Sequence, residues 1–137
     1  MTVQLSESSS TTAGILLLTI VTIQFGGTFL LRVFTGGVPT TDFQKSFFRA
    51  GHAHAGVLVI LGLIGTVLVD ATRLDGFWEI VARDGVPLGA IGMSAGFFLS
   101  AIGKDRRQPN RLIALLWLGA ASTAAGVLTL GVGLLAA

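Results

Sequence analysis

Residues 13–34, AGILLLTIVTIQFGGTFLLRVF, carry a single charge, Arg32, close to the end of the run. At 1.5 Å per residue a helix of that length reaches about 33 Å, enough to cross a hydrocarbon core of ~30 Å. Three more stretches repeat the pattern at about 46–69, 86–103 and 112–136, the third only just long enough. The expected fold class is therefore all-α: an integral membrane bundle of four transmembrane helices over residues 13–137, preceded by a disordered polar tail, 1–12. That tail holds the run Ser8 to Thr12 and has neither Lys nor Arg, so it lacks the positive start of a secretory signal.

The composition of all 137 residues agrees with a bilayer as solvent. Hydrophobic residues make up 52% and charged residues only 12%, and mean hydropathy is +0.81. Nineteen glycines against three prolines suit helices that approach closely in lipid. The absence of cysteine excludes disulfides, thiolate metal sites, iron–sulfur clusters and cysteine nucleophiles. A pI near 9.9 arises from basic residues flanking apolar spans, which argues for a membrane surface and against nucleic acid.

The connections differ in character. Residues 36–44 hold Gly-Gly, Val-Pro and Thr-Thr, a turn by composition. Residues 71–85 place Leu74, Phe77, Trp78 and Val81 opposite Arg73, Asp75, Glu79 and Asp84, the pattern of a short interfacial helix anchored by Trp78. Residues 104–110 form a charged hairpin. Arg32, Lys45, Arg49, Lys104, Arg106, Arg107 and Arg111 flank the first and third loops, whereas only Arg73 and Arg83 lie in the second. The imbalance puts loops one and three in the cytoplasm and both termini outside it, in a plasma or inner membrane.

Polar side chains inside the spans are the candidate site. His52 and His54 are the only histidines and stand two residues apart near the start of the second span. On a helix they point about 200° from each other, into different grooves, so one ion shared within a chain is disfavoured. Gln24 in the first span, Ser94 in the third and Ser122 or Thr123 in the fourth fall at comparable depth, with Met93 beside Ser94. Such a layer serves as interhelical hydrogen bonding, as a ligand or cofactor site, or as the lining of a passage for protons or a small solute. Arg49 lies one turn from His52; with Arg32, Arg106 and Arg107 it is a candidate for snorkelling to lipid headgroups or binding an anion. The run Gly85, Gly89, Gly92, Gly96 and Ser100 predicts close packing within the chain or across a homo-oligomer.

The segment Gly51-His52-Ala53-His54-Ala55-Gly56-Val57-Leu58 resembles the helix of haem-copper oxidases in which two histidines, two residues apart, ligate different haems. The resemblance implies His52 and His54 as metal ligands, with haem b as cofactor and Met93, water or a second subunit as the further ligand. The plan of four spans with outer termini and an Arg-rich entrance to the second span is similar to the MAPEG family of membrane glutathione enzymes, which are trimers. Gly51, His52 and His54 stand where that family carries Asn and Glu. With no phosphate-loop, zinc-protease or nucleophile-elbow motif, the expected role is a non-catalytic one. The partners expected are the lipid bilayer and either further copies of the chain or other membrane subunits.

Overall fold

A computed structural model of the chain describes residues 4–137 and is all-helical in that range. Its elements are α1 (Glu7–Phe34), α2 (Asp42–Val69), α3 (Gly76–Ala101), a 3-10 turn at Arg111–Ile113, and α4 (Ala114–Leu135). Three helical segments are long and apolar enough to cross a membrane: Glu7–Phe34, Asp42–Val69 and Arg111–Leu135. Their outward faces carry large apolar side chains, among them Leu18, Phe25, Trp117 and Leu128, which water would not tolerate in such number.

The helices follow one another in space as in sequence. α2 packs on α1 and α3, and α3 packs on α4, while α1 and α4 do not touch among the described residues. The helices form a bent row, open between α1 and α4, in which α2 also meets α4 and α1 lightly meets α3, and α3 is its most enclosed member. Small residues set the closest approaches. A Cβ placed on Gly92 would stand 2.8 Å from the Gly119 Cα, and one on Gly85 would stand 2.7 Å from the Gly126 Cα, so α3 and α4 meet backbone to backbone. The glycine stripe of α3 is used inside the chain, where the Ser122 hydroxyl also donates to the Gly85 carbonyl at 2.8 Å.

Several boundaries differ from the sequence expectation. The separate interfacial helix over 71–85 is not formed: most of it is the first half of α3, which runs without a break through Pro87. The room for this comes from Gly62 of α2, whose missing side chain leaves the pyrrolidine ring a seat. At the other end, the 1–12 tail was expected to be unstructured. Yet α1 begins at Glu7, because Ser6 caps it by accepting from the Ser9 N–H and because Ser9 and Thr12 find partners in Asp70, just past the end of α2, and Asp84 of α3; residues 1–3 of that tail lie outside the described residues. α2 also starts earlier than residue 46. Thr41 and Gln44 form a capping box there, and the same Gln44 side chain donates to the carbonyls of Ala101 and Gly103 at 2.9 and 2.8 Å. This ties the α1–α2 turn to the end of α3.

Candidate functional site

The two histidines sit in the middle layer of α2 and face different neighbours. Gly26 and Gly27 of α1 leave a shallow floor, and the His52 ring lies on it: a Cβ on either glycine would come within 3.6 to 3.7 Å of a ring nitrogen. His54 turns toward α3, with its ring centroid 4.9 Å from that of Phe97 and its Nδ1 2.8 Å from the Ala50 carbonyl one turn back. Gly51, between the two directions, abuts the Phe97 and Phe98 side chains. One layer of the molecule is therefore Gly26–Gly27, Gly51–His52 and Phe97–Phe98. With Nδ1 satisfied by the backbone, His54 gains one local hydrogen bond and a ring contact. His54→Phe should keep the contact with Phe97 and lose only the bond, costing about 0.5 to 1.5 kcal/mol in detergent unfolding.

The haem suggested by the His-x-His segment can be tested against this arrangement. A backbone bond at Nδ1 is the usual support for a histidine ligating through Nε2. However, the apolar groove beside these helices is lined by neither histidine, and Met93 packs into the cluster of Leu16, Leu58, Val59 and Val86. His52, His54 and Met93 do not frame one slot, so these donors do not fit a haem held by a single chain. Nor do three His, Cys, Asp or Glu side chains come together in a way that could hold a metal ion among the described residues.

That groove lies between α1 and α3 over α2 and has a volume of about 390 Å³. Thr12 and Asp84 stand at one end of it and Thr22 and Ser94 at the other, with Leu16, Val59 and Ile91 among the apolar walls. Ser94 Oγ is buried without a hydrogen-bond partner, as are Thr123 Oγ1 and Arg83 Nε. Gln24 is exposed on α1. The threonines around it on α1 satisfy themselves by donating three residues back, Thr19 to Leu16, Thr22 to Thr19 and Thr28 to Phe25, at 2.6 to 2.7 Å. Gln24 has no such recourse and no partner among the described residues.

The four candidate anion-binding arginines do not converge. Arg32 and Arg49 are exposed. Arg106 is half-buried and donates from Nε to the Ile102 carbonyl at 2.9 Å, closing the end of α3, and Arg107 borders a shallow hollow with Thr40, Asp42 and Phe43.

Two polar clusters escaped the sequence reading. Gln44 is one, although Thr-x-x-Gln before an apolar run is a readable cap signal. The other is the acidic end of the row, where Arg83, 8% exposed, binds Glu79 at 2.7 Å and Asp84 at 3.4 Å. Beside it Asp70 accepts from the Ser6 N–H at 2.8 Å and the Ser9 hydroxyl at 2.9 Å. Burial works to raise the Asp70 carboxyl, but these bonds and the Arg83 charge outweigh it and hold the group below its ordinary 3.8. A depressed folded value stabilises the fold above the ordinary carboxylate range, and that contribution is lost as pH falls through the folded value. A fluorophore on Gln4→Cys, in a chain with no other thiol, should therefore gain mobility only as pH falls through the depressed Asp70 value, and at every pH in Asp70→Ala.

No family model matches the chain, and no curated protein or solved structure is found to be similar to it.

Proposed function

We propose that the chain is a multi-pass integral membrane protein with four crossings and both termini outside the cytoplasm, acting as a non-catalytic, homo-oligomeric scaffold or subunit of a membrane complex. The fourth crossing is α3. Its support is position: α3 lies against α2 from Gly62 to Gly51 and against α4 from Gly126 to Leu116, so it shares their depth. Enclosed on both sides, it needs less apolar surface than a helix facing lipid. Arg32, Lys45 and Arg49 flank the 36–44 connection, and Lys104, Arg106, Arg107 and Arg111 lie in or beside the 102–110 one, against Arg73 and Arg83 alone at the other end, and this imbalance supports the orientation.

Gln24 is the observation that carries the scaffold reading. An amide exposed in the middle of an apolar span has neither water nor an internal partner, and association with another chain is how a bilayer satisfies it. The histidines, resting on glycines and on Phe97, serve packing in this reading. Gln24→Leu should shift the purified protein in mild detergent from a multiple of the chain mass to 14.2 kDa, measured by light scattering with the detergent contribution removed. A wild-type protein that is already monomeric and partnerless would end the reading, and a Soret band in its absorption spectrum would replace it with a redox role.

A further inference from the structure

Gln24 and Ser94 are the two polar groups left without a partner beside the α1–α3 groove, and they lie at one depth. Gln24 precedes Gly26–Gly27, and Ser94 precedes Phe97–Phe98, the pairs that meet in a common layer through Gly51 and His52. At 1.5 Å per residue both are displaced from that layer toward the Asp70 end, by about 4 Å and about 5 Å. They face different ways. Gln24 is about 140° around α1 from Thr19, which looks into the groove, so its own amide points away from the groove that holds Ser94.

Resting on the oligomeric reading above, we infer that the groove between α1 and α3 receives the Gln24 face of α1 from a second copy, the Gln24 amide reaching Ser94 Oγ. Copies embedded in one orientation in one bilayer are related by an axis normal to it, which preserves depth. Only groups at equal depth can then pair, and these two are. The chemistry matches, since the amide offers two donors and an acceptor and the hydroxyl offers one donor and accepts. The surfaces match as well. Leu17 and Val21 share the exposed side of α1 with Gln24 at the depth of the groove, and the groove they would enter is lined almost wholly by apolar atoms. Its length suits a helix ridge: Thr12 to Thr22 on α1, and Asp84 to Ser94 on α3, each span about 15 Å. Because donor face and groove are different surfaces of one chain, the contact is head-to-tail and closes into a ring when its rotation divides a full turn.

The absence of native cysteine makes the test direct. Val21→Cys, on the Gln24 side of α1, and Ile91→Cys, in the groove at nearly the same depth, leave Gln24 and Ser94 in place; they are introduced singly and together in the full chain and oxidised in native membranes. The double variant should give a ladder of covalent multiples, and co-expressed single variants should give dimer only. Each single variant alone should stay at the monomer position. Crosslinking of Val21→Cys alone would overturn the inference in favour of a two-fold contact. So would no crosslink in a double variant whose size, reduced and in mild detergent, equals that of the wild type; the scaffold reading would survive that result. A wild-type monomer would remove both.

Discussion

Gly119→Leu should prise α4 from α3 and lower stability by about 3 kcal/mol, the upper range for forcing volume into a filled interior. Gly119 stands against the backbone of Met93, Gly92 and Gly89, so a new side chain meets main chain that cannot swing aside. Detergent-induced unfolding followed by circular dichroism reads the loss. Gly14→Leu and Gly131→Leu are the controls, because a Cβ at either position meets nothing within 4 Å; they should stay within about 0.5 kcal/mol of the parent. An equal response at all three positions would mean that α3 and α4 are not held backbone to backbone.

Gln44→Leu should cost about 1.5 to 4.5 kcal/mol, because the buried Ala101 carbonyl is left unpaired, at about 1 to 3 kcal/mol, and the exposed Gly103 carbonyl loses an ordinary bond, at about 0.5 to 1.5 kcal/mol. The Ala101 carbonyl belongs to the open end of α3, and Ala101 itself is fully buried. Gln44→Glu separates the two jobs of this side chain. A carboxylate still accepts from the Thr41 N–H as the cap does, but it has no hydrogen to give Ala101 and Gly103. Equal loss in both variants, measured by hydrogen exchange around residues 100–110, assigns the effect to the link with α3. Full stability in Gln44→Glu would assign it to the cap alone.

The helical segments were legible because apolar length is a coarse property that survives errors of several residues. α1, α2 and Arg111–Leu135 are read from hydropathy alone. α3 reads weakly for a structural reason: its stripe of Gly85, Gly89, Gly92 and Gly96 spends on α4 the surface that other spans give to lipid. The start of α1 was misread because Ser and Thr at 8–12 suggest a tail until Asp70 and Asp84, 61 and 72 residues further along, are known to hold Ser9 and Thr12. Spacing on a helix gives the direction of His52 and His54 relative to each other but not what each meets. That Gly26–Gly27 form a floor for one and Phe97 a wall for the other depends on helix order, which no local pattern encodes. Gln24 stood out on chemistry alone, as an amide within an apolar run, whereas its lack of a partner is a fact of tertiary packing.

Counting crossings tests the account most directly. Single cysteines at Gln4 and Ala137, and a third at Lys104, are challenged in intact cells with a membrane-impermeant thiol reagent. Four crossings predict that both ends react and that Lys104→Cys reacts only after the membrane is opened. Labelling of only one end would mean an odd number of crossings, and would remove α3 from the bilayer together with the shared depth of Gln24 and Ser94.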